Sequence, residues 1–309
     1  ACETLESVSI DAPEALGRGG SSNGSYRNRD DESVYYAGYS GLHFGRFYDS
    51  QTNYSVAARR CPKLESITLG DNVVTVGEFA FDGPEDMSSL TSLTLGSSIK
   101  TIGTYSFHGA TSLASLVIPD SVTSIGEGAF SNVRSLTSLT LGSGLTSLGN
   151  AAFSGATNLT TVTLPDSLTI IGQSVFSGAT GMSSINIPDS VTSIGSDAFS
   201  YTGLTSVVIP DSVTRIESRA FYKTPLTSLT LGSSVSTIGY DAFFQTELTS
   251  LTIPDSVTSI GSTAFGDTPF KALVIGRGLQ SKGSVGVEAF LNACETLESV
   301  SIDAPEALG

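Results

Sequence analysis

Histidine is nearly missing from this chain, with only His43 and His108 among its 309 residues. They fall in different segments, no motif ties either to a nucleophile, and no His/Cys spacing matches a metal site. The sequence therefore predicts no enzyme and no cofactor. Basic residues are scarce too, 15 against 30 acids, for a net charge of -15. That balance argues against nucleic acid or an anionic membrane as a partner for the whole surface. No apolar run approaches the roughly 18 residues of a membrane span. No basic, apolar, then small-residue pattern follows Ala1, so a processed product or a piece of something longer is expected. Tryptophan is absent, glycine numbers 33, and Leu, Ile, Val, Ser and Thr dominate from Leu64 onward. Such a mix favours strands and turns over helices.

What is present is a repeat. Units of mostly 22 or 23 residues open at Leu64, Leu90, Leu113, Leu136, Leu159, Met182, Leu204, Leu226, Leu248 and Phe270. The unit from Leu248 reads LTSLTIPDSVTSIGSTAFGDTP. Its apolar positions are Leu248, Leu251, Ile253, Val257, Ile260, Ala264 and Phe265, and Pro254, Asp255 and Gly261 punctuate them. This pattern predicts a short strand, a turn, a second extended piece and a compact turn around Ala-Phe. One unit cannot bury its own apolar side, whereas stacked units share a continuous core. The fold expected is a solenoid of mostly parallel β-structure with short turns and little helix.

These residues resemble the BspA-like leucine-rich repeat family, whose units run LxxLxIPxxVxxIGxxAF and often carry Cys three places before the next Leu. The resemblance implies a leucine-rich-repeat solenoid over residues 61–309. It further implies an extracellular or cell-surface location, since proteins of this family are commonly secreted or surface-attached adhesins.

Two features depart from the short repeat. Residues 1–17, ACETLESVSIDAPEALG, are identical to residues 293–309, an offset of 292 residues. Identity that includes Asp11, Ala12 and Pro13 points to a larger tandem superunit, because solenoid caps ordinarily diverge. Eleven stacked coils per superunit would advance on the order of 50 Å at about 4.8 Å per strand. The second departure is an irregular insertion over residues 18–60. It carries six Arg and four acids, for a local charge of +2, within a remainder of -17. Its Arg27, Arg29, Tyr35, Tyr36, Tyr39, Phe44, Arg46, Phe47 and Tyr48 read either as a docking element for an acidic solenoid or a glycan, or as a loop packed on its own coil.

Cys2 and Cys61 hold equivalent places on consecutive coils, where stacking brings residues about 5 Å apart. A disulfide and a pair of small buried thiols both remain open, because Ala110, Ala156 and Ala179 fill the same inward position elsewhere. Cys294 is the copy of Cys2. Asn23, Asn53 and Asn158 stand in NGS, NYS and NLT, the acceptor pattern for N-linked glycan. Outward Ser-x-Thr pairs, such as Ser138 and Thr140, form a hydroxyl face that reads as an ice, carbohydrate or O-glycan surface, or simply as a soluble strand face. Val117, Val208 and Val274 interrupt it. The recurrent Pro-Asp, as at Asp120, reads as turn chemistry in preference to a calcium ladder.

The function these features predict is a non-enzymatic extracellular structural protein, the 292-residue unit of a filament or fibril. Its expected partner is itself, end to end and laterally, with glycans as a further partner. The alternative is a monomeric surface adhesin that binds a protein or glycan through the solenoid face.

Overall fold

The computed structural model describes residues 64–81, 87–280, 285–286, 288–293 and 296–302, together with the backbone of six short strands between Ser7 and Ala57. The chain divides into two compact units, Ala1–Pro165 and Asp166–Gly309. Each is a parallel β-solenoid.

In the first unit, the strand Ser66–Leu69 lies parallel between Ser7–Ile10 and Ser92–Leu95. Ser115–Val117, Ser138–Thr140 and Thr161–Thr163 continue the same kind of pairing. A second ladder joins Thr75–Val76, Thr101–Ile102, Ser124–Ile125 and Ser147–Leu148. Each repeat position stands opposite itself, as in Leu116, Leu139 and Val162. Side chains alternate across a strand, so these three turn inward and are buried, while Ser115, Ser138 and Thr161 on either side of them are exposed.

The second unit repeats the plan. One ladder runs through Ile170–Ile171, Ser193–Ile194, Arg215–Ile216, Thr237–Ile238 and Ser259–Ile260. On the other side, Ser206–Val208 pairs with Ser228–Thr230, and Ser250–Ile253, Ala272–Ile275 and Ser299–Ile302 form a sheet in that order. Among the described residues the one helical element is the short 3-10 turn Arg277–Gln280.

Phenylalanine forms the spine of both cores. Phe81, Phe107, Phe130 and Phe153 stack at 5.1, 5.3 and 5.4 Å between ring centroids. In the second unit the spacings from Phe176 through Phe199, Phe221, Phe243 and Phe265 to Phe290 are 5.8, 5.3, 5.2, 5.2 and 5.3 Å. Two left-handed residues flank each of these Phe from Phe107 onward, for example Tyr105 (φ 51°) and Gly109 (φ 77°) around Phe107. This conformation aims the turn's N-H groups at the next coil. Tyr105, Phe107 and Gly109 donate to Glu127, Ala129 and Ser131 at 2.8, 2.8 and 2.9 Å. A turn that would strand its backbone donors is thereby satisfied.

Side chains add further links between coils. Asp120 Oδ1 accepts from Ser143 N at 2.7 Å and from Ser143 Oγ at 3.0 Å. Asp71 does the same with Ser97, and Asp211 and Asp255 accept from the backbone of Ser233 and Arg277. The Asp of a Pro-Asp pair is expected to bond within its own turn, but the bonds of Asp120, Asp211 and Asp255 run to the following coil. Where a threonine stands just before a strand it can donate to a carbonyl one coil back, as Thr137 Oγ1 does to Ala114 O and Thr160 Oγ1 to Thr137 O. Serines of the Asp-Ser turn do likewise, Ser121 to Ile99 O and Ser256 to Val235 O, both at 2.7 Å.

The insertion has paired strands where an irregular segment was expected. Gly24–Arg27, Val34–Ala37 and Leu42–His43 form an antiparallel sheet, and Arg46–Tyr48 pairs antiparallel with Ser55–Ala57. Its Tyr, Phe and Val content favours extended backbone.

Candidate interaction surfaces

The solenoid plan leaves two faces where side chains can meet a ligand. The first is the strand face. Its hydroxyl pairs Ser92 and Thr94, Ser138 and Thr140, and Thr161 and Thr163 are exposed in the first unit, as are Ser228 and Thr230, and Ser250 and Thr252, in the second. Val117 and Val208, 62% and 64% exposed, break the columns with apolar rungs. The face is regular in register but mixed in chemistry.

The second face lies at the Ala-Phe turns of the second unit, where Tyr201 is exposed and Tyr222 and Phe244 are half-buried. Tyr201 is followed one coil on by Tyr222, with centroids 5.4 Å apart and the rings nearly perpendicular. Tyr222 then stacks on Phe244 at 5.5 Å. Cations edge this strip. The Arg219 guanidinium lies 4.4 Å above the Tyr222 ring, and Lys223 Nζ is 5.2 Å from Tyr222 and 5.9 Å from Tyr201. Burial opposes the charge on Arg219, yet the Asp197 carboxylate 3.8 Å from its Nε, together with Tyr222, outweighs that and raises its pKa. Next to the rings, Asp267 accepts from Asn292 at 2.7 Å and from Gln245 at 3.0 Å, and these two bonds hold its carboxyl below the ordinary range. One exposed and two half-buried rings beside cations and amides can stack a flat ligand face and bond its rim.

Sequence reasoning did not single out this strip. Its signal was the spacing of Tyr201, Tyr222 and Phe244, 21 and 22 residues apart, which sets them on successive coils.

The residues singled out from sequence fare differently. Asn158 is exposed, and the Thr160 hydroxyl of its triplet is bonded to Thr137 O at 3.0 Å. Ala110, Ala156 and Ala179 are fully buried at the inward position that the cysteines share in the sequence. Cys2, Cys61, Cys294, Asn23, Asn53, Arg29, Tyr39 and Phe44 lie outside the described residues. Arg27, Tyr35, Tyr36, Arg46, Phe47 and Tyr48 lie on the described antiparallel strands. His108 packs edge-on against Tyr105 and has its Nε2 3.2 Å from Asn132 Nδ2. Among the described residues no cluster of His, Cys, Asp and Glu is suited to a metal ion, and no helix is long and apolar enough to cross a membrane.

Comparison with curated proteins finds no match. Among solved structures, the chain is similar to a leucine-rich repeat protein from Bacteroides ovatus, at 23% identity over 90% of this chain and 92% of that one, with a TM-score of 0.44. It is also similar to a leucine-rich repeat protein from T. pallidum, at 24% identity over 58% of this chain and 86% of that one, TM-score 0.44. A leucine-rich cell surface protein from Faecalibacterium prausnitzii is 21% identical over 96% and 97% of the two chains, TM-score 0.42. A family model described as a BspA type leucine-rich repeat region matches residues 54–177, 85–203 and 192–306. Covered by that match from residue 54 to residue 306, this chain belongs to the BspA type leucine-rich-repeat family.

Proposed function

We propose that this protein is a non-enzymatic extracellular building block whose 292-residue superunits follow one another along a filament or fibril. The observation that carries this reading is the identity of residues 1–17 with residues 293–309. One sequence thus recurs at an offset of 292 residues, the period of a larger tandem superunit. A head-to-tail contact between unlike faces does not close on itself unless its rotation happens to complete a ring, and so builds filaments. Membership of the family supports an extracellular or cell-surface location. Residues 18–60 would project from each superunit, their Arg and aromatic side chains meeting an acidic neighbouring solenoid or a glycan.

Electron microscopy of the native material tests the reading. A layer spacing near the expected value, on the order of 50 Å and shortened by any curvature, supports a continuous filament. Discrete particles without axial order would discard it. Deleting residues 18–60 should abolish lateral association and leave the axial repeat.

A second reading draws on the ring and cation strip of the second unit, which suits a surface protein that binds a glycan or a protein side chain. Glycan-array binding that Tyr222→Ala removes, in a chain that stays monomeric, would favour this adhesin over the filament.

A further inference from the structure

The residue two places after each core Phe is left-handed in every coil from Phe107 to Phe290, but its chemistry changes along the chain. Glycine or asparagine, which tolerate this backbone best, holds the place first: Gly109, Asn132, Gly155 and Gly178, with φ of 77, 61, 75 and 77°. Long side chains then take it on three consecutive coils of the second unit, Tyr201, Lys223 and Gln245 at φ 56, 54 and 55°. Asp267 and Asn292 follow at 52 and 59°. The place two before the Phe varies freely along the chain, as Tyr105, Ala151 and Arg219 do, so the switch after Gly178 belongs to this row alone. Side chains held in a backbone that suits glycine collect at ligand sites.

Backbone bonds set the row out rigidly. The N-H groups of Tyr201, Lys223, Gln245 and Asp267 donate to the carbonyls of Tyr222, Phe244, Gly266 and Leu291 on the next coil at 2.9, 2.8, 2.9 and 2.7 Å. Successive members therefore stand one coil apart, on the order of 5 Å, which is close to the length of one sugar unit in a chain. Tyr201 is 45% exposed, and Lys223 and Gln245 beyond it are exposed as well. Lys223 Nζ lies 5.9 Å from the Tyr201 ring and 5.2 Å from that of Tyr222, and no carboxylate among the described residues pairs with it. The other bases of its coil are committed, Arg219 to Asp197 at 3.8 Å and Arg215 to Glu217 at 2.9 Å. In a chain of net charge -15, Lys223 is a cation left for an anion from outside. Past it, Gln245 and Asn292 each spend an amide N-H on Asp267 and keep their amide oxygens.

An anion with a flat apolar face suits the first two members of the row. A sugar ring can lay its C-H face on the Tyr201 ring, and a carboxylate on that sugar takes a charge-assisted bond from Lys223. Hydroxyls of the following units then meet the donors and acceptors of Gln245 and Asp267. Asp267 sets a limit, because a second carboxylate two coils on from the first would face it and be repelled. A protein partner fits less well, since its anchor side chains need well-packed pockets and this row is made of polar tips. We propose that Tyr201, Lys223, Gln245 and Asp267 bind a sugar chain laid along the coils of the second unit, with one uronic acid unit over Tyr201, its carboxylate on Lys223, and neutral units after it. This rests on the adhesin reading of the ring strip and names its ligand.

A glycan array in which each neutral oligosaccharide is paired with its singly uronate-bearing form tests this on the full chain. The acidic form should bind roughly tenfold or more tightly than its neutral partner. Lys223→Gln should erase that difference and leave the neutral affinity and the thermal midpoint in place, because the side chain is exposed. Lys223→Arg should keep the difference, and Tyr201→Ala should weaken both forms. Equal binding of the two forms would overturn the proposal, and so would a preference for the acidic form that survives Lys223→Gln. A glutamate-rich peptide that binds as tightly as the best acidic sugar would also overturn it, by showing that charge alone is read. Sugar binding that Tyr222→Ala removes but that ignores the uronate would discard the acidic ligand and keep the adhesin. If no binding responds to Tyr222→Ala, the adhesin reading falls with it.

Discussion

Asp120 acts across the space between coils, and its chemistry shows what one repeat unit cannot reveal. Within the unit, Asp after Pro reads as a local turn former. In the fold its carboxylate takes two bonds from Ser143, 23 residues on. The backbone N-H and then the hydroxyl of Ser143 hold its pKa below the ordinary value, and Asp71 and Asp211 follow the same order with Ser97 and Ser233. A lowered folded pKa means that this contribution is complete above the unfolded value of about 4. It is lost as pH falls through the folded value. Urea midpoints of wild type and Asp120→Asn should therefore differ at pH 7 and converge toward pH 3. A gap that stays constant would mean that ionisation plays no part. Ser106 makes the opposite case. It occupies the place of Ala80, Ala129 and Ala152, is fully buried, and has no hydrogen-bond partner for its hydroxyl among the described residues. Ser106→Ala should raise stability by about 1 kcal/mol in denaturant unfolding.

Among the elements, the strands and the places of the turns were legible, and the left-handed backbone of the turns was not. Apolar residues recurring at fixed places mark Leu116, Leu139 and Val162 as inward, and the structure buries all three. The left-handed turn positions carry Tyr105, Ala151, Arg219 and Thr263, with no shared chemistry, since the stacked coils fix the backbone there whatever the side chain. The ring strip was hidden for a related reason, because Tyr222 and Phe244 hold the place that Ser200 and Gly266 hold on other coils, so the repeat does not mark it as aromatic. Glycine after the second strand of a coil reads as punctuation, but its role is close approach. A Cβ on Gly149 would stand 2.4 Å from the backbone carbon of Gly126 and 2.5 Å from the nitrogen of Glu127. Neither neighbour is a side chain that can swing aside. Gly149→Ala should cost about 1–3 kcal/mol, read as a lower thermal midpoint.

For the whole molecule, the links between coils set how a disturbance spreads within a unit. The side-chain bonds that join coils span 21 to 26 residues, which is one coil to its neighbour. Stability in such an array is approximately a sum of coil terms and nearest-neighbour terms, so damage should remain local. Phe199 in the second unit offers a clean probe, being fully buried and stacked on Phe176 at 5.8 Å and on Phe221 at 5.3 Å. Phe199→Ala should cost about 3–5 kcal/mol, concentrated in its own coil and the two beside it. Native-state hydrogen exchange can tell local from global loss. The amide of Thr214, bonded to Thr192 O at 2.9 Å, should lose protection, while that of Lys271, bonded to Thr249 O at 2.7 Å, should keep it. Equal loss at both amides would mean that the unit unfolds as one cooperative body.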